Sequence, residues 1–111
     1  MSNKELEIAR AKEIAEYKQV LKTFDISFES LGSNSPRNPL VKNAAVIAAQ
    51  FINENSSRKE SFYTEKNLPK EELVTELGLN EKTIEENKDY IVAITLLYTG
   101  NFAHLKEFME I

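Results

Sequence analysis

The sequence predicts an all-α chain, a compact bundle of about five or six helices that contains a helix-turn-helix. Three observations lead there. Strand signals are nearly absent, with three Gly, three Pro and almost no apolar/polar alternation. Apolar residues instead recur every three or four positions. Helix starts and stops are also well marked by Ser, Asn, Pro and Gly.

Taken in order, the first helix runs from Lys4 to Thr23, with Ala11, Ile14, Tyr17 and Leu21 on one face. Phe24 and Ile26 end it near Asp25, and Ser27 can cap a short turn through Leu31. Gly32 to Pro36 read as a loop. A further helix starts around Pro39, whose fixed φ suits a first turn, and carries Ala44, Ala45, Ile47, Ala48, Phe51 and Ile52. Asn53 to Ser57 break it, and a helical turn with Phe62 and Tyr63 leads to Lys66 and Asn67.

The next stretch is the best punctuated. Pro69 opens a helix, with Glu71 and Glu72 near the positive end of its dipole. Leu73, Val74 and Leu77 form its apolar face, and Gly78 stops it in a left-handed conformation. Asn80 caps a second helix that begins Glu81-Lys82-Thr83-Ile84, keeps Ile84, Ile91 and Ile94 inside, and runs through Leu97 to Gly100. Asn101 caps a last helix carrying Phe102, Leu105, Phe108 and Met109. Residues 1–111 read as one helical domain, with a helix-turn-helix over 68–98. The part before Asn53 should pack against that unit, because neither alone carries enough apolar surface.

Composition narrows the function. Without Cys and with His104 as the one histidine, thiolate metal sites, His-rich metal sites and a Ser-His-Asp triad lack their parts. The carboxylates come with no nucleophile, metal-ligand set or Gly-rich phosphate loop, so the expectation is no enzyme, no cofactor, no metal and no small-molecule substrate. The first residues are charged, and the longest apolar stretch, Tyr90 to Tyr98, is far too short to span a bilayer, which points to a cytoplasmic chain without membrane insertion. Net charge is −4, yet it is unevenly spread. Ten basic and nine acidic residues precede Leu68, whereas only Lys70, Lys82, Lys88 and Lys106 oppose nine acidic residues after it. The acidic part is therefore the one that looks like a DNA reader.

In a helix-turn-helix the start of the second helix enters the major groove. Here that edge presents Glu81, Lys82, Glu85, Asn87 and Lys88. Lys82 and Lys88 could meet phosphates or a guanine edge, Asn87 could read adenine, and the Thr83 hydroxyl could reach a phosphate. The same residues also fit a solvated face of i,i+3 and i,i+4 ion pairs. Arg37, Lys42, Arg58 and Lys59 are further candidates for backbone contacts, or plain surface charges. Tyr90 suits a core edge better than a base-stacking platform.

Several short runs together carry a family likeness. Leu68-Pro69-Lys70-Glu71-Glu72-Leu73, Lys82-Thr83-Ile84-Glu85, Tyr90-Ile91-Val92-Ala93 and Thr99-Gly100-Asn101-Phe102 follow one another in the second part. Glu16-Tyr17, the run Phe24 to Leu31 and Ser35-Pro36-Arg37 precede them. The chain thereby resembles the C-terminal domain of sigma-I type RNA polymerase sigma factors. The resemblance implies a domain that reads the minus-35 promoter element, beside an N-terminal domain, without counterpart here, that binds polymerase and the minus-10 element. It also implies a partner, the cytosolic domain of a membrane-anchored anti-sigma factor. The DNA-binding set it implies is Lys82, Thr83, Glu86, Asn87 and Lys88, with Arg37 outside the helix. Glu81, Glu86 and Asp89 stand where cations are expected, and Asn38 stands where a His usually follows the Ser-Pro-basic run. Those acids leave open a second reading, a helical protein-interaction module that has lost DNA contact.

Overall fold

The computed structural model describes residues 2–34 and 36–108. Its helices are α1 (Asn3–Thr23), α2 (Phe28–Asn34), α3 (Pro39–Asn53), α4 (Ser56–Glu65), α5 (Lys70–Thr75), α6 (Glu81–Glu86), α7 (Lys88–Thr99) and α8 (Ala103–Phe108), with no strand among the described residues. The fold is all-α, as the sequence predicts, but divided more finely. Residues 32–34 continue α2 instead of forming a loop, while Ser35 and Met109 lie outside the described residues. The turn around Phe62 is a full helix, α4. The helix expected from Glu81 to Leu97 is interrupted at Asn87.

Capping explains most boundaries. Asn38 Oδ1 accepts the Leu40 N–H at 2.9 Å, Asn55 Oδ1 that of Arg58 at 3.0 Å, and Asn80 Oδ1 that of Thr83 at 3.0 Å. Ser27 Oγ accepts the Ser30 N–H at 3.3 Å, and Asp25, at φ 59°, turns the chain out of α1. The start of α8 uses a device that local sequence does not announce. The Glu13 carboxylate, from α1, accepts the Leu105 N–H at 2.9 Å and the His104 N–H at 3.4 Å. An anionic acceptor at a helix start satisfies open amides and complements the dipole, and here it ties the first helix to the last. The expected Asn101 cap gives way to this arrangement, since α8 begins at Ala103.

Helix α7 is the centre of the molecule. Every residue from Ile91 to Leu97 is buried, and α1, α2, α3, α6 and α8 all pack on it. The α3–α7 seam is the most extensive. On its α3 side Ala45, Ala48, Ala49 and Ile52 are fully buried, and methyl-sized side chains let two helix axes approach closely. Ile47 is 44% exposed and Leu40 74% exposed, on the side of α3 away from this seam. Ala11 on α1 is exposed as well. Thr95 is the buried polar residue of α7, and its hydroxyl donates to Ile91 O at 2.8 Å, so no donor is lost. At its end Gly100 leaves no room for a side chain, because a Cβ there would overlap the Phe102 ring and lie 2.9 Å from Leu96 O.

Tyr17 links α1 to this centre. Its hydroxyl donates to Ala93 O at 2.7 Å, and its ring meets Phe28 and Phe102 edge-on. Burial pushes the Tyr17 phenol well above its ordinary value near 10, and burial also raises Tyr90, less strongly. A phenol with a raised folded-state pKa stabilises the fold below about pH 10, its unfolded value, and that contribution is lost as pH rises further. Tyr17→Phe is thus expected to cost about 1 kcal/mol at neutral pH. It should also flatten the loss of stability above about pH 10, read as urea midpoints on either side of that pH. A variant curve as steep as that of the wild type would show that Tyr17 does not carry the alkaline sensitivity.

Candidate nucleic-acid interface

Physical chemistry places a short helical hairpin on the surface. Pro69 precedes α5 and Glu71 and Glu72 fill its first turn, favourable near the amino end of a helix dipole. Gly78 then adopts φ 68°, where its N–H donates to Val74 O at 3.1 Å while the Leu79 N–H reaches back to Leu73 O at 3.1 Å. A left-handed residue at this point closes the helix end and turns the chain, and glycine does so without steric cost. Asn80 caps α6 in turn, and buried Leu73 and Ile84 hold the two helices in contact.

Asn87 decides how much of the predicted recognition helix is available. It sits at φ −119°, ψ 24°, and both its backbone N–H and its side-chain Nδ2 donate to Thr83 O, at 3.1 and 3.0 Å. A side chain that bonds the local backbone competes with helix continuation, so α6 ends and the chain restarts as α7. Beyond this break the helix is enclosed from Ile91 onward. Only α6 and the first turn of α7 face solvent.

On that edge the predicted residues occupy different situations. Lys82 is open, its side chain 82% exposed and 3.9 Å from Glu86. Glu86 and Lys88 are exposed. Thr83 is half-buried, with its N–H and hydroxyl both directed at Asn80 Oδ1, the latter at 3.4 Å. Asn87 is half-buried, and bidentate adenine reading would require it to release Thr83 O. Arg37 stands apart, exposed in the segment leading into α3. Thus 82–88 forms one short strip, and Arg37 is not part of it.

Two further cations meet the helices of the hairpin, Lys70 touching α6 and Arg58 touching α5. Lys70 of α5 sits between two α6 carboxylates, 2.9 Å from Glu85 Oε1 and 3.3 Å from Glu81 Oε1. Hydrogen bonds donated to Glu85 first, then to Glu81, hold its ammonium above the ordinary lysine value. Arg58 of α4 does not serve as a free cation. Its Nε donates to Glu72 Oε2 at 3.0 Å and its NH1 to Phe51 O at 3.2 Å, while its guanidinium lies 3.6 Å from the Phe51 ring centre. It joins α3, α4 and α5, and so the hairpin, to the bundle. Arg58→Ala is expected to lower stability by about 2 kcal/mol, since hydrogen bonds to charged groups and the stacked stem go together. Thermal unfolding checks this, and a loss below about 0.5 kcal/mol would mark Arg58 as an ordinary surface residue.

Among the described residues there is no group of three or more His, Asp or Glu placed to hold a metal ion. No described helix is long and apolar enough to cross a membrane.

Comparison with known proteins bears on the family. No protein-family model matches the chain. It is 32% identical over 101 residues to the RNA polymerase sigma factor SigI of Bacillus subtilis (strain 168), covering 91% of this chain and 40% of that protein. It is 35% identical over 101 residues to the RNA polymerase sigma factor SigI2 of Acetivibrio thermocellus, covering 91% and 38%. The chain is homologous to the SigI sigma factors. Another of that organism's factors, SigI6, is 33% identical over 96 residues. The SigI-like chain spans about two-fifths of the length of these relatives. The resemblance seen in its short motifs is therefore real homology, and these relatives bear the names of transcription factors and not of enzymes.

Proposed function

We propose that this SigI-like chain reads promoter DNA for a sigma factor, with 68–98 acting as a helix-turn-helix at the minus-35 element. The observation that carries the reading is the exposed edge made by α6, with Lys82, and the first turn of α7, with Lys88, in a homologue of sigma factors. In this reading Lys82 and Lys88 meet phosphates or a guanine edge, while Thr83 and Asn87 contribute polar contacts beside them. Glu86 points at the same strip and discourages wrong registers, and Arg37 reaches the backbone from the α2–α3 segment. The rest of the sigma factor supplies the contact to the RNA polymerase core, in the cytoplasm. A membrane-anchored anti-sigma factor inhibits by covering this edge with its cytosolic domain.

The acids do not form an unbroken negative face. Lys70 lies between Glu81 and Glu85, and Lys82 lies against Glu86. Interleaved charge of this kind supports DNA contact over a purely acidic docking surface. Even so, the number of exposed acids on this edge, Glu81, Glu85, Glu86 and Asp89, favours the second reading, a module that binds protein alone.

A salt-series titration separates them, using duplexes carrying a minus-35 element or a scrambled one. Selective binding that weakens with log salt is expected, and its loss on adding the anti-sigma domain would support occlusion. Absence of binding at low salt would favour the protein module. Undiminished binding in the anti-sigma complex would remove occlusion.

A further inference from the structure

We propose that Glu81 and Glu85 form a carboxylate clamp that withholds Lys70 from DNA phosphates, so that a duplex must open the clamp to recruit this α5 cation. The inference rests on the promoter-reading function of the same edge. Lys70 opens α5, yet its Nζ lies across the hairpin on α6, at 2.9 Å from Glu85 Oε1 and 3.3 Å from Glu81 Oε1. The two carboxylates are one helical turn apart, so they share a face, and both side chains are more than half exposed. Exposed ion pairs are weak and open readily, which makes this a competitive contact and not a fixed structural bond.

The geometry also shows what release would achieve. Lys70, Glu85 and Lys88 border one small depression together with Asn67, Leu68 and Ile84. With the clamp closed, Glu85 neutralises Lys70 at that depression, and a phosphate approaching Lys88 gains no second cation. With it open, Lys70 and Lys88 flank the same depression as a pair of cations. The clamp therefore sets a low affinity that binding along the rest of a promoter must overcome, which favours correct sites over generic DNA.

The test is a salt-series anisotropy titration of this chain with a fluorescein-labelled mixed-sequence duplex. Glu81→Gln/Glu85→Gln is expected to bind about tenfold tighter at low salt, with a log–log slope steeper by about 0.9, the signature of one added phosphate contact. Lys70→Gln added to the double variant should remove the whole gain. Glu7→Gln/Glu107→Gln makes the same change in net charge on exposed positions away from the hairpin and should yield little. A gain that survives Lys70→Gln, a gain matched by the distant pair, or no gain at all would each overturn the clamp. In those cases wild-type binding leaves the promoter reading standing, whereas no binding by any variant at low salt overturns both. Matched helical circular dichroism and melting curves establish that every variant compared is folded.

Discussion

Leu97→Ala is expected to lower the unfolding free energy by about 3 kcal/mol, enough to consume a large part of the roughly 5–15 kcal/mol that holds a domain of this size together. Leu97 is fully buried in α7, the helix on which five others pack, so the space it vacates cannot be closed by movement of a single neighbour. The cost combines lost transfer energy with an unfilled cavity. Leu40→Ala is the matching control, because Leu40 is 74% exposed despite its place in an apolar helix. It should fall within about 0.5 kcal/mol of wild type. Urea denaturation with an unchanged m-value measures both. Equal losses would show that burial on α7 does not dominate the stability of the bundle.

The largest expected effect on binding comes from reversing the two open lysines of the strip. Lys82→Glu/Lys88→Glu should weaken duplex binding by about a hundredfold at low salt and flatten the salt dependence by about two phosphate contacts. Each reversal removes an attraction and adds a repulsion at the same place. Stability should barely change, because both side chains are exposed and Lys82 makes only a long contact with Glu86 at 3.9 Å. By contrast, Asn87→Ala acts through structure as well, because Asn87 bonds Thr83 O at the helix break. A charge-reversed protein that binds promoter DNA as well as wild type would exclude this edge as the reading surface.

These expectations trace back to sequence in unequal measure. Where a boundary is set by residues within a few positions of it, local reading suffices: Gly78, Asn80 and the Pro39 turn behave as their chemistry requires. The break at Asn87 is different. Its surroundings keep helical spacing on both sides, and only the bond from its side chain to Thr83 O reveals that the helix stops. The inner face of α3 was likewise ambiguous, since alanines and larger apolar residues surround the helix and only the position of α7 decides that Ala45, Ala48 and Ala49 go in while Ile47 stays out. Of the candidate site, the strip 82–88 was legible because it is contiguous. Lys70 was not, because its partners lie on another helix, and for the same reason local spacing leaves Arg58 open between a backbone contact and a surface charge. Nor does any local pattern foretell that Glu13 caps α8.

The position of α7 in the chain has a consequence for how the protein is made. The helix on which five others pack is the seventh of the eight described. During synthesis the earlier helices leave the ribosome with no completed core to join, since α3 waits for a partner roughly forty residues downstream. Completion of the core is therefore expected to come late, when α7 emerges and closes the long loop back to α3. Until that moment Ile52, Leu21 and Tyr17 remain open to solvent, and nascent chains stalled before Ile91 should be the form most in need of chaperones.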